Sequence, residues 1–276
     1  MHLLLWIILF TLIGGILSVI AASLFLLVPD RHHSSLLPHG VSFALGALLS
    51  VAFLDLLPDA VQHAGTDRVE GLFATVLAGI LVFFLLEKLL LWRHCHTSDC
   101  EAHNDHEEHY HQPAGTLIIV GDGIHNFVDG VLIAAAFLTD LHLGIVTSLA
   151  VAAHEIPQEV GDFAILLQSG YSKPKALFYN MLSSLGTVAG GVLAYFALGR
   201  VQESLPYFLA LAASSFIYIA VADLIPTLHK KTHAEAVVQQ MALILAGIVL
   251  IAGVHHYADA SFPSADSAPQ KAAARP

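Results

Sequence analysis

The sequence predicts an all-α fold, a polytopic membrane protein whose single domain of eight transmembrane helices covers residues 1–260. Three observations carry this. Of 276 residues, 56% are hydrophobic and only 12% charged, about half the ~25% charge of a soluble domain. Apolar runs of about 20 residues recur from end to end, each long enough to cross a ~30 Å hydrocarbon core as a helix. The period-two alternation of a membrane barrel is absent, and a helix satisfies its own backbone groups where water cannot.

Span one, 3–28, opens Met1-His2-Leu3 without a basic segment and runs too long for a cleavable signal, so it reads as a transmembrane helix. Span two, 38–63, contains Asp55-Leu56-Leu57-Pro58. Span three, 70–93, gives way to a polar loop, 94–113. The loop holds His94, Cys95, His96, Cys100, His103, His106, His109 and His111 among acidic residues, a composition that binds metal. Two cysteines are too few for a disulfide scaffold, and the loop is expected to regulate rather than to transport. Span four, 114–138, combines Gly121, Gly123 and Gly130 with ionisable residues. Span five, 142–169, carries Pro157, which takes away the donor to the Ala153 carbonyl and predicts a kink. Spans six and eight are 174–199 and 236–258. Span seven, 204–228, contains Asp223-Leu224-Ile225-Pro226, which repeats the motif of span two. The Ser-, Ala- and Pro-rich stretch 261–276 is expected to be a disordered tail. His32, His33, His39, His255 and His256 lie at span ends and read as surface residues.

Basic residues set the orientation. With both termini outside, Arg31, Lys88, Arg93, Lys173, Lys175, Lys230 and Lys231 fall at cytoplasmic ends, against Arg68 and Arg200 outside. The His-rich loop is then cytoplasmic, and the cell membrane is the expected location. A formal net charge of −11 argues against a nucleic-acid partner and suits vestibules that attract cations.

Ionisable residues inside membrane helices are costly and usually line an ion path. Spans four and five concentrate them in Asp122-Gly-Ile-His125-Asn126-Phe-Val-Asp129-Gly130 and His154-Glu155-Ile-Pro157-Gln158-Glu159-Val-Gly161-Asp162. On a helix His125 and Asp129 share a face, as do His154 with Gln158 and Glu155 with Glu159. Two such faces in contact bring imidazoles, carboxylates and amide oxygens together, enough for one metal site or two that share a carboxylate. Asp122, Asp162, Asp55 and Asp223 are lesser candidates. Nitrogen and oxygen ligands without thiolate suit Zn²⁺ and admit Fe²⁺, Mn²⁺ or Cd²⁺.

These motifs resemble the fourth- and fifth-helix signatures of the ZIP (Zrt/Irt-like) metal transporters, in particular the branch reading His-Glu-x-Pro-His-Glu-x-Gly-Asp. The similarity continues through Asp162-Phe-Ala-Ile-Leu-Leu-Gln-Ser-Gly170 and Phe216-Ile-Tyr218-Ile-Ala-Val-Ala-Asp223. The resemblance implies import of divalent metal, chiefly zinc, into the cytosol through a binuclear site between helices four and five. It implies His125, Asp129, His154 and Gln158 as one site, and Asn126, Asp129, Glu155 and Gln158 as the other. Gln158 departs from the branch, which has His there. No cofactor is implied, since the metal is cargo; the partners are divalent ions and the bilayer, with a homodimer left open. Two other readings compete. A passive metal-selective channel would use the same site. An intramembrane zinc hydrolase would need His-Glu-x-x-His, and Gln158 with Pro157 spoils that motif.

Overall fold

The computed structural model describes residues 2–25, 30–94, 112–198, 202–229 and 234–261. Among them every regular element is helical, as the composition requires. The chain runs through α1 (His2–Leu12), α2 (Ser18–Phe25), α3 (Asp30–Ser50), α4 (Leu57–Ala64) and α5 (Val69–His94). It continues through α6 (Gln112–Thr139), α7 (Leu141–Gln168), α8 (Lys173–Leu198), α9 (Leu205–Ile219), α10 (Ile225–His229) and α11 (Ala234–Ser261).

Seven helical runs among the described residues are long and apolar enough to cross a membrane: His2–Leu24, Pro38–Ala64, Thr66–Leu86, Ile119–Thr139, Lys173–Leu198, Leu205–His229 and Glu235–Tyr257. Helix α7, at 28 residues, has the length but carries Glu155, Glu159 and Asp162 along its second half.

Three of the runs contain a wider π turn: Ile13–Leu17 joins α1 to α2, Val51–Leu56 joins α3 to α4, and Ala220–Leu224 joins α9 to α10. The last two coincide with the repeated Asp-Leu-x-Pro motif. In each, the residue before the proline donates its N–H five residues back, Leu57 to the Ala52 carbonyl and Ile225 to the Ala220 carbonyl. A proline has no N–H to continue the ordinary ladder, and a π turn takes up the misfit by one extra residue. Pro157, by contrast, sits inside an α7 that runs unbroken from Leu141 to Gln168.

Small residues decide how closely the helices approach. A Cβ added at Gly130 of α6 would lie 1.9 Å from the Thr187 carbonyl oxygen of α8, and one at Gly190 would lie 2.0 Å from that of Phe127. The two backbones are therefore in direct contact, the packing mode favoured where lipid offers no hydrophobic drive. Helix α3 meets α11 in the same way, with Gly46 against the Ile244 carbonyl and Gly247 against that of Phe43. Helices α1, α6, α7 and α8 pack on one another, while α3 packs on α11 and α5 on α9; α3 also lies against α7. Gly40 of α3 faces the ring of Pro157 there. The runs Thr66–Leu86 and Glu235–Tyr257 bury only 11% of their most apolar stretch, against 72% for Pro38–Ala64. Their apolar side chains, Leu77, Leu81, Phe84 and Val249 among them, suit a lipid surround.

Candidate metal site

A single residue, Asp140, separates α6 from α7. Its carboxylate accepts from the backbone N–H of His142 at 2.7 Å, capping α7, which fixes a tight antiparallel hairpin. His125 stands fifteen residues before that turn and His154 fourteen after it. At about 1.5 Å per residue the two imidazoles reach the same depth in the hairpin. Chain connectivity alone brings them level.

The two Nε2 atoms face each other at 3.3 Å. Asp129 Oδ2 lies 3.2 Å from His154 Nε2 and 3.8 Å from His125 Nε2. Glu155 Oε1 lies 3.4 Å from His125 Nε2 and 3.6 Å from His154 Nε2. All four donor atoms fall within 4.8 Å of one another. A tetrahedral zinc with bonds of about 2.0–2.2 Å has ligand–ligand edges of about 3.3–3.6 Å, so the contacting pairs stand close to tetrahedral edges. His154 Nδ1 lies 3.2 Å from the Ala150 carbonyl. With the proton on Nδ1 donated there, Nε2 presents its lone pair to the cluster.

The electrostatics point the same way. Asp129, His154 and Glu155 are buried, and His125 is partly so. Apart from the two imidazoles, no described residue gives a hydrogen bond to either oxygen of Asp129 or of Glu155. Buried carboxylates without donors are expensive. Two of them with two neutral imidazoles make a divalent cation's complement, since the filled site carries no net charge.

The other expected residues lie around this cluster. The fourth donor is Glu155, where the resemblance implies Gln158 in the first site; Gln158 is half-buried one turn beyond His154. Asn126 is fully buried against α8, its Nδ2 donating to Asp122 Oδ1 at 2.9 Å and its Oδ1 accepting from Thr187 Oγ1 at 2.7 Å. Asp122 also accepts from Ser183 Oγ. Glu159 is buried and accepts from Ser184 Oγ at 2.8 Å. Asp162 is half-buried further along α7. Asp55 is buried in its π turn, 2.8 Å from His255 Nδ1 of α11. His255 is thus not the plain surface residue expected, because α11 packs against α3 at that level. Asp223, the repeat partner of Asp55, is exposed. His94 closes α5, while Cys95, His96, Cys100, His103, His106, His109 and His111 lie outside the described residues, as does the tail 262–276.

Helix α8 holds what the sequence reading missed. Asn180, Ser183, Ser184 and Thr187 are all buried, and their spacing of i, i+3, i+4, i+7 is one helix face. That polar stripe inside an apolar span was the available signal.

The family model described as "ZIP Zinc transporter" matches residues 1–113 and 92–255. The chain belongs to the ZIP family. It is a multi-pass membrane protein, in keeping with its apolar helices. Zinc transporter ZIP13 of Pongo abelii is 34% identical over 223 residues, 76% of this chain and 64% of that protein. A ZIP13 homolog of Drosophila melanogaster is 30% identical over 280 residues, covering 81% of this chain and 78% of its own length. Human zinc transporter ZIP4 is 44% identical over 114 residues, 41% of this chain but only 18% of that larger protein. The chain thus spans less than two thirds of the first of these ZIP proteins.

Proposed function

We propose that this ZIP-family chain carries divalent metal ions, zinc foremost and Fe²⁺, Mn²⁺ or Cd²⁺ as further candidates, across a membrane into the cytosol. The observation that carries the reading is the convergence of His125, Asp129, His154 and Glu155 within 4.8 Å, with no donor among the described residues to either acid other than the two imidazoles. Neutral nitrogen and anionic oxygen donors bind such cations without the grip of thiolate, so the ion is held and released. Its relatives named zinc transporters support zinc as the cargo.

In this reading α7 also crosses the membrane, as the fifth of eight spans, both termini lie outside, and the tract 94–113 faces the cytosol. The domain closes at about residue 260. The branch is that of the His-Glu-x-Pro-His-Glu-x-Gly-Asp helix, with Gln158 as its departure. A second cation beside the first would draw on Asn126 and Gln158. The repeated π turns in α3–α4 and α9–α10 support a carrier whose α6–α7–α8 bundle shifts against a frame that includes α3.

Zinc uptake by vesicles containing the purified protein tests this. Saturable, temperature-dependent flux is expected. Linear flux with weak temperature dependence would favour the passive channel, and no flux of any of the four metals would overturn the transport reading.

A further inference from the structure

The turn between α7 and α8 carries a basic and aromatic group that the metal site does not use. Beyond α7, Gly170 takes a φ of +86° in the left-handed region, and the Tyr171 N–H returns to the Leu166 carbonyl at 3.1 Å. A closure of this kind fixes the chain just past a helix end, so Tyr171 is held in place. Its ring lies edge-to-face on that of Tyr179, with centroids 5.6 Å apart at 81°. Both rings pack against a small buried cluster of Phe163, Leu166 and Ala176. Lys175 Nζ sits 4.7 Å from the Tyr171 centroid and 5.9 Å from that of Tyr179, within cation–π reach of both.

The charge here is unbalanced. Lys173 and Lys175 are exposed, and no Asp or Glu occurs between Asp162 and Glu203. Among the described residues no carboxylate pairs with either lysine. In a chain of formal net charge −11 this is a local excess of positive charge. The rings cover the Lys175 ammonium on one side, and its remaining N–H groups are left to donate outward.

Depth names the acceptor. Helix α8 has 26 residues, about 39 Å at ~1.5 Å per residue, and outruns a ~30 Å hydrocarbon core. The run Lys173–Leu198 is apolar enough to cross a membrane, and the two lysines occupy its first turn, at the level of lipid phosphates. Phe178, one turn on, is 62% exposed and suits an acyl chain beneath such a headgroup.

We propose that Lys173 and Lys175, with Lys175 held by Tyr171 and Tyr179, form a docking site for the headgroup of an anionic phospholipid. The headgroup phosphate accepts from both ammonium groups, and the lipid ties the α7–α8 turn to the membrane surface. The inference goes beyond the transport reading and holds whatever ion the protein carries.

Binding is read by native mass spectrometry of the purified full-length protein in detergent, titrated with phosphatidylglycerol or with phosphatidylcholine. The wild type is expected to retain phosphatidylglycerol in preference to phosphatidylcholine. Each lysine near an anionic surface contributes about fivefold, so Lys173→Gln/Lys175→Gln should weaken phosphatidylglycerol binding by about 30-fold and leave phosphatidylcholine binding level. Lys175→Arg should bind as the wild type does, since a guanidinium also stacks on aromatic faces. Lys230→Gln/Lys231→Gln, which removes two charges elsewhere, should cost far less. Equal losses from the two double variants would reduce the effect to general charge and overturn the site. Displacement of phosphatidylglycerol by inorganic phosphate at equal concentration would make the ligand a soluble anion and overturn the lipid. Equal retention of the two lipids by the wild type would also overturn it. The readout needs no zinc, so a protein that failed to carry zinc would leave this proposal standing.

Discussion

His125, Asp129, His154 and Glu155 differ from the other polar residues of their helices in what their donor atoms face. In Asp129→Ala the cluster loses the carboxylate that lies within 3.8 Å of both imidazoles. Changes in the outer partners of a metal site alone cost about 10–100-fold in affinity, so loss of this direct donor should lower zinc uptake by at least about 100-fold at equal membrane abundance. The same variant should lose the rise in melting temperature that zinc gives the wild type, since a ligand at about 100 times its Kd stabilises by about 2.7 kcal/mol. Uptake near the wild-type rate would reject Asp129 as a donor. A second comparison separates Glu155 from Gln158. Glu155 Oε1 stands 3.4 Å from His125 Nε2, whereas Gln158 is half-buried beyond the cluster. Glu155→Ala should therefore cost much more zinc affinity than Gln158→Ala. Equal losses would put the amide on the metal.

At the scale of elements, the site depends on a hairpin and a seam. The hairpin of α6 and α7 levels the two histidines, and the seam of α6 with α8 fixes the face that α6 presents. Gly130→Ala should break the seam. Its new methyl would meet a backbone oxygen at 1.9 Å, which cannot rotate aside as a side chain would. Overpacking of this kind costs about 1–3 kcal/mol or more, so a lower melting temperature in detergent and reduced uptake are expected together. Gly161 belongs to the same signature, yet a Cβ there meets nothing within 4 Å. Gly161→Ala should leave stability level or raise it by up to about 1 kcal/mol. Matching losses in the two variants would mean that the glycines share a role other than close packing.

At the scale of the whole molecule, the expectations concern sidedness and the long loop. The chain has 2 cysteines, Cys95 and Cys100, both in that loop. In intact cells an impermeant maleimide should leave the protein unlabelled until the membrane is opened, if the loop is cytoplasmic. Labelling of intact cells would invert the topology. Deleting residues 95–111 should preserve zinc flux to within about a few-fold while altering its response to cytosolic zinc, because tracts rich in His and Cys bind metal by composition alone. A deleted protein that inserts normally but carries no zinc would make the loop part of the path.

The sequence by itself determined the helical class, the membrane setting and the family, because these follow from composition, run length and two dense motifs. It also placed His125 level with His154, since Asp140 leaves no slack between their helices. It did not determine which of its polar residues face the ion. Periodicity puts Asp129 and Asn126 on neighbouring faces of one helix, and Glu155 and Glu159 on a shared face of another, without saying where α8 lies. The stripe Asn180, Ser183, Ser184 and Thr187 resolves that, and it went unread because hydroxyls in an apolar span look like ordinary helix packing. The Asp55–His255 pair is likewise invisible in the sequence, where its members stand 200 positions apart. Hydrogen bonds between helices depend on crossing angle and rotation, which glycine contacts such as Gly130 on Thr187 set, and only the tertiary structure decides those.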